Sequence, residues 1–537
     1  MAMNQTRTTV VRPTDPAFGA AVRLALLFAA IKLALHVATN LWQAHLGYGY
    51  FRDEMYYIVC GEHPAWGYVD HGPGVAVQSW LALAIFGKSL AGIRMISAAG
   101  GAGRVFLTGM LAWSLGGRRP AQALAMMGVL FAPQYLGTDS FLSMNSMESV
   151  FWMGCLLALI LIVRGSLLGV NREWLWMLFG LSAGLGLLNK PSMTFFLLAL
   201  LAALLVTPQR RLLASPWAAA GVGLLLLIVL PNLLWQVHHH WPTLEFLHNG
   251  RVENKNVKLS PLPFLLTQII NLQPITIVIW GAGLVWLIRS PLAKNWRWLG
   301  YTYLFFLLGM MALHAKDYYV SPIYPILFAA GGVAWEMRYA SRQSIQADRA
   351  FAFPILQTIV VVVGVLILPM AIPVLRPADW LAYTKATYLY RASSNAENES
   401  SGVLPQFYAD RFGWQEEVDQ VARVVHSLTP DEQKTVGIYC SNYGEASAIN
   451  FLGRDLPLAV SGHNNYFLWG PNGYRGELMI VINHATPEEM RKFYRSVEVV
   501  GRMDHPYAMP FEHRNIYLVR GRFKNVVEDW QSFKLYI

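Results

Sequence analysis

Runs of about twenty apolar residues, almost free of charge, recur from about residue 18 to about residue 375. Each is long enough to cross a bilayer, and in lipid such a segment must satisfy its backbone internally, as a helix does. The whole chain is 55% hydrophobic and 14% charged, against about 25% charged residues in soluble domains. Eleven spans are predicted, near 18–44, 92–115, 120–137, 148–164, 174–189, 191–207, 216–235, 264–288, 297–314, 319–337 and 354–375. A further apolar stretch, 75–86, is too short to cross easily and is expected to lie at the membrane surface. The expected fold class is therefore a polytopic α-helical membrane protein, residues 1–375, followed by a soluble tail.

Charge fixes the orientation. Arg7, Arg12 and Arg23 precede or enter the first run, which is longer than a signal-peptide core and is expected to be a retained span with the N-terminus cytoplasmic. Alternate connections then hold Arg118/Arg119, Arg164/Arg172, Arg210/Arg211, Arg289/Lys294/Arg297 and Arg338/Arg342/Arg349, the cationic bias of cytoplasmic loops. The opposite connections hold Asp53, Glu54, Asp70 and His71, then Asp139 and Glu148, Asn189-Lys190, His238 to Lys258, and Lys316-Asp317. Most acidic residues and histidines of the membrane half thus gather on the external face. The net charge of +10 is spread through the short connections, with no basic stripe interleaved with aromatics, which excludes a nucleic-acid partner. Cys60, Cys155 and Cys440 have neither paired nor metal-ligand spacing. Gly180 and Gly184 form a small-xxx-small pair suited to close helix packing.

After Leu375 the character changes. Residues 376–402, with Ser393-Ser394-Asn395 and Glu397-Asn398-Glu399-Ser400-Ser401, are expected to be a polar linker. Beyond it, Val418, Val421, Ala422, Val425 and Leu428 fall on one helix face, while 436–440, 478–482, 497–500 and 515–519 are predicted strands. Thr486-Pro487-Glu488-Glu489 is a capping box with proline at the first helical position. Residues 403–537 are therefore expected to form a soluble α/β domain, external by the parity of the spans.

The external connections carry the candidate chemistry. In Tyr50-Phe51-Arg52-Asp53-Glu54-Met55-Tyr56-Tyr57, a carboxylate in the first turn of a short helix faces the positive end of the helix dipole. Kept ionised at the membrane boundary, it can accept a proton from an attacking hydroxyl, or simply cap the helix. Asp139, in Gly137-Thr138-Asp139-Ser140, reads as a second carboxylate, a metal ligand or an N-cap. Lys190, in Leu188-Asn189-Lys190-Pro191-Ser192, is a cation against the usual external bias and would pair with a phosphate or snorkel. Lys316 is similar, with Asp317 beside it as a neutralising partner; Arg251, Lys255 and Lys258 would contact a phosphate or stay solvated. His238-His239-His240 cannot easily all face one metal.

Taken together, these motifs resemble the GT-C class of membrane glycosyltransferases, and more narrowly the protein O-mannosyltransferase and aminoarabinose-transferase superfamily (glycosyltransferase family 39). The resemblance rests on Arg52 to Tyr57, Tyr68-Val69-Asp70-His71-Gly72-Pro73-Gly74, Thr138-Asp139-Ser140, Leu188 to Ser192, and Lys316-Asp317-Tyr318-Tyr319 with Pro322 and Tyr324-Pro325. The tail, including Tyr443-Gly444-Glu445-Ala446 and Ser461-Gly462-His463-Asn464-Asn465-Tyr466, is similar to the extra domain of many bacterial members. The resemblance implies a polyprenyl-phosphate-linked sugar donor and transfer with inversion to a lipid, glycan or protein hydroxyl, on the external face of a bacterial inner membrane. It implies Asp53 as general base, Glu54 hydrogen-bonding the acceptor, Asp70 and His71 lining the donor sugar, and Lys190, Lys316 and Arg251 on the leaving phosphate. Gly72-Pro73-Gly74 departs from the double proline or lysine of many relatives, which leaves the sugar open. Metal dependence differs among relatives, so a divalent ion stays open too. The rival class is a transporter or flippase of a lipid-linked anion, which would more naturally carry internal repeats. The tail, beside these loops, is expected to take part in acceptor recognition.

Overall fold

The computed structural model describes residues 16–255, 257–343, 352–389, 400 and 402–537. Arg7, Arg12 and Arg349, together with Ser393 to Glu399 and Ser401, lie outside the described residues. Helix occurs in all eleven expected segments. Among the described residues, five helices are long and apolar enough by themselves to cross a bilayer: Phe18–His45, Met95–Ser114, Met144–Leu167, Pro216–His238 and Phe353–Ala371.

Two expected spans are divided at a proline. The segment 120–137 is divided into Arg119–Leu130 and Pro133–Thr138. The segment 264–288 bends by 100° between Pro261–Asn271 and Pro274–Arg289, where Gln273 takes a left-handed φ of 69° before Pro274. A proline ring cannot continue the preceding turn, because it lacks the N–H and clashes with the carbonyl one turn back. The stretch 75–86 is a helix, Pro73–Phe86, with Val75, Ala76 and Ala82 buried and Val77, Trp80 and Ile85 exposed.

The membrane helices share one large apolar core, in which Trp152 stacks on Phe196 at 4.3 Å and meets the Phe306 ring edge-on at 5.0 Å. Gly180 lets helix Leu175–Asn189 lie against Pro216–His238: a Cβ there would stand 2.2 Å from the Gly221 carbonyl oxygen. Gly180→Leu is expected to destabilise the protein by about 1–3 kcal/mol through overpacking. The check is the melting temperature in detergent, and an unchanged midpoint would mean that the backbones do not meet there.

The C-terminal residues form a five-stranded sheet of β1 (Gly437–Cys440), β2 (Ala459–Ser461), β3 (Leu478–Asn483), β4 (Tyr494–Met503) and β5 (Arg514–Arg522). The order is β2-β1-β3-β5-β4, parallel across β2, β1 and β3 and antiparallel from β3 to β4. Helix Trp414–Ser427 buries Val418, Val421 and Val425, and helix Tyr443–Leu452 connects β1 to β2. The Thr486 box is closed by the Thr486 N–H donating to Glu489 at 2.8 Å and heads a single turn, Pro487–Met490.

The stretch expected to be a polar linker begins instead with helix Pro377–Thr387. It is anchored by buried Trp380, whose indole N–H donates to the Pro369 carbonyl at 2.8 Å. The tail also shares an apolar core with the membrane half. Met55, Ile58, Cys60 and Val75 share one apolar cluster with Val421, Ile438, Ala446 and Ile480. Fully buried Arg411 donates to Gln43 at 2.7 Å and to Ser140 at 3.3 Å, tying the tail to the first membrane helix.

Candidate active site

The helix after the first span, Arg52–Glu62, starts where the Phe51 N–H donates to the Glu54 carboxylate at 2.8 Å. Successive helical residues point about 100° apart, so the two adjacent acids meet different surroundings. Glu54 turns inward and is fully buried. It receives two bonds of 2.7 Å from Arg94 and a third, also of 2.7 Å, from the Leu142 N–H. With both oxygens taken, Glu54 is not placed to bond an acceptor, contrary to expectation; it is the buried anchor of Arg94. Asp53 turns outward, with 29% of its side chain exposed. Its Oδ1 accepts from the Tyr443 hydroxyl at 2.8 Å and lies 3.5 Å from Arg52 Nε, whereas Oδ2 accepts no bond from the described residues.

Aromatic rings gather around Tyr443, the partner of this carboxylate. The Tyr56 ring lies 4.6 Å from Tyr443, and its hydroxyl donates to Asp70 at 2.8 Å. Burial pushes the Asp70 carboxyl above its usual range, while neighbouring His71 and the Tyr56 bond pull it back. His71 is buried and stacks on Tyr68 at 4.7 Å. Its Nδ1–H donates to the Gly72 carbonyl at 2.7 Å, and Nε2 has no hydrogen-bond partner among the described residues. From the tail, Asn465 receives the Val69 N–H at 2.8 Å. Tyr57 lies within electrostatic reach of Asp53, Asp70 and Tyr443.

The loop after His71 is held against the turn that carries Lys190. A Cβ on Gly72 would stand 2.2 Å from the Leu188 carbonyl oxygen, and one on Gly74 would stand 2.7 Å from the Asn189 Cα. This close backbone approach accounts for the glycines of Gly72-Pro73-Gly74. Gln78 adds a 2.8 Å bond to Asn189. Lys190 itself is buried, donating to Asn145 at 2.8 Å and Glu148 at 2.9 Å, with its ammonium 4.4 Å from the centre of the Tyr319 ring and 5.5 Å from that of Tyr318. Ser192 donates to the other Glu148 oxygen. Lys190 and the Lys316-Asp317-Tyr318-Tyr319 motif therefore come together, and Tyr318 lies within electrostatic reach of both Glu148 and Tyr57.

Other expectations fare differently. Lys316 is half-buried with no ion pair among the described residues; Asp317 does not neutralise it but binds Asn271 at 3.0 Å and the Tyr318 N–H at 2.9 Å. Arg251 is exposed at the end of helix Pro242–Val252, and among the described residues no contact joins it to the other candidates. Asp139 is not an N-cap and does not join Asp53: it ends helix Pro133–Thr138 and, fully buried, sits 2.9 Å from Arg104 and 3.2 Å from Lys32. Ser143 caps helix Met144–Leu167 instead. Among the described residues, no group of three or more His, Cys, Asp or Glu is arranged to hold a metal ion.

The sequence reading missed Tyr443, Arg52 and Glu148 as members of the site, though all three stood in the motifs or loops it quoted. What it lacked was pairing: Tyr443 lies 390 residues from Asp53, and no local periodicity reports such a contact.

Residues 70–235 match the family model described as dolichyl-phosphate-mannose-protein mannosyltransferase. No curated protein sequence matches the chain significantly. Among solved structures, the chain is similar to ArnT from Cupriavidus metallidurans bound to undecaprenyl phosphate. The TM-score is 0.58 at 16% identity, covering 92% of this chain and 97% of that one. Apo ArnT gives 0.57 at 15% identity, covering 93% and 98%. AglB, the oligosaccharyltransferase of Archaeoglobus fulgidus in complex with an inhibitory peptide and a dolichol-phosphate, gives 0.50 at 12% identity, covering 82% of this chain and 64% of that one. A helical membrane portion, a small C-terminal sheet and a matched segment running from Asp70 through Lys190 to Trp235 give this chain the fold of the GT-C glycosyltransferase superfamily.

Proposed function

We propose that the protein is an inverting glycosyltransferase. It moves a sugar from a polyprenyl-phosphate donor to a hydroxyl of a lipid, glycan or protein acceptor, on the external face of a bacterial inner membrane. The observation that carries this reading is the Asp53 carboxylate, whose Oδ1 accepts from Tyr443 while Oδ2 accepts no bond from the described residues, on a side chain that is 29% exposed. In the transfer, Oδ2 takes the acceptor's proton as its oxygen bonds to the anomeric carbon from one face. The bond from that carbon to the phosphate oxygen breaks on the other face, and the phosphate leaves with the added negative charge. Lys190, and Lys316 with no ion pair among the described residues, would meet that charge. The polyprenyl phosphates bound in the ArnT and AglB structures support a lipid-phosphate donor for this fold.

The test is a comparison of glycolipid and glycoprotein masses in cells with and without the protein. One species should lose a sugar mass in its absence; identical profiles would contradict the reading. Removing the Lys190–Glu148 pair as a neutral double variant, Lys190→Met/Glu148→Gln, avoids stranding a buried charge. It is expected to raise the donor KM about tenfold, the scale of one hydrogen bond to a charged group. Initial-rate titration of the donor measures it, and an unchanged KM would remove Lys190 from the phosphate site.

A further inference from the structure

We propose that Tyr443, carried by the C-terminal domain, is a positioning residue of the transfer reaction: it fixes the Asp53 carboxylate so that Oδ2, and not Oδ1, meets the acceptor hydroxyl. This rests on the reading of Asp53 as the base. A carboxylate on the first turn of an exposed helix can rotate freely, and each rotamer presents a different oxygen at a different angle. Here the Tyr443 hydroxyl, which must donate because an ionised carboxylate only accepts, holds Oδ1 at 2.8 Å, with Arg52 Nε at 3.5 Å on the same oxygen. A charge-assisted bond of this kind selects one rotamer before substrate arrives, the preorganisation that a base needs at the moment of attack.

Tyr443 is itself held from several directions. It opens helix Tyr443–Leu452, whose N-cap Asn442 accepts the Glu445 N–H at 2.9 Å while Glu445 accepts the Asn442 N–H at 3.2 Å. Its ring packs 4.6 Å from Tyr56 and 4.9 Å from His463, and the Arg52 guanidinium lies 5.5 Å from the ring centre. Gly444 then lets the helix approach: a Cβ there would stand 2.7 Å from Arg52 Cγ. Rotation of the phenol is blocked on these sides, so the hydroxyl reports the docking of the whole domain. The domain is thereby part of the catalytic centre, and its role is not confined to recognising an acceptor.

Tyr443→Phe removes the hydroxyl and keeps the ring. Using the full-length protein in liposomes, with polyprenyl-phosphate sugar as donor, kcat is expected to fall about tenfold or more. KM for donor should stay within twofold, and the melting temperature should not change. In an Asp53→Asn background the same substitution is expected to change nothing further, because the two groups act as a unit. A kcat equal to that of the unsubstituted protein, or an equal loss in the Asp53→Asn background, would overturn the positioning role while leaving Asp53 as base. Undiminished transfer by Asp53→Asn alone would instead sink the reading of the base itself.

Discussion

Asp53→Asn is expected to give a folded, membrane-inserted protein whose sugar transfer is lower by about two to four orders of magnitude, the usual contribution of a positioned general base. The amide is nearly isosteric and still offers an oxygen to the Tyr443 hydroxyl, and 29% of the side chain is exposed, so little packing is lost. What disappears is the capacity of the second oxygen to take a proton. Single-turnover transfer by the purified variant measures the effect. Transfer within threefold of the unsubstituted rate would leave the proposed chemistry without its base.

One residue further on, the consequence reverses. Glu54→Ala is expected to destabilise the protein by about 3–5 kcal/mol, because it leaves the Arg94 guanidinium buried without its counter-charge. It also frees the Leu142 N–H and the Phe51 N–H, each of which now donates to Glu54. Since folded proteins are stable by only about 5–15 kcal/mol, most of the product should be lost before any assay. The neutral double variant Glu54→Met/Arg94→Met should recover much of the loss, since an apolar pair carries no desolvation cost. Yield and thermal midpoint by fluorescence-detected gel filtration distinguish the cases. Normal yield of Glu54→Ala with reduced transfer would return Glu54 to the acceptor site.

This contrast marks how far the sequence could be read. The external clustering of acids predicted that the Asp53-Glu54 pair belonged to a site, but not which residue was buried. That depends on Arg94, 40 residues away, lying under the helix. Hydropathy located helix in each predicted span because the bilayer leaves little choice, and it missed the breaks at Pro133 and Pro274, where the chain stays apolar through the bend. In the tail, strands of four to ten residues declared themselves, whereas β2, three residues long, has too few positions for a period to show. Asp139 misled for a related reason: a loop acid reads as free for chemistry, a metal or a cap until Lys32 and Arg104 are found around it. The Tyr443–Asp53 bond, spanning 390 residues, needed the fold.

The account stands or falls on what happens to the donor lipid at this site. The direct measurement uses proteoliposomes of the purified protein, loaded with membrane extract from cells lacking it as the acceptor source and given a panel of sugar-labelled polyprenyl phosphates. The account predicts that label leaves one donor for a new glycosylated species, with free polyprenyl phosphate appearing in equal amount, and that Asp53→Asn abolishes both. Labelled donor crossing the bilayer intact, with no polyprenyl phosphate released, would contradict it and identify a transporter.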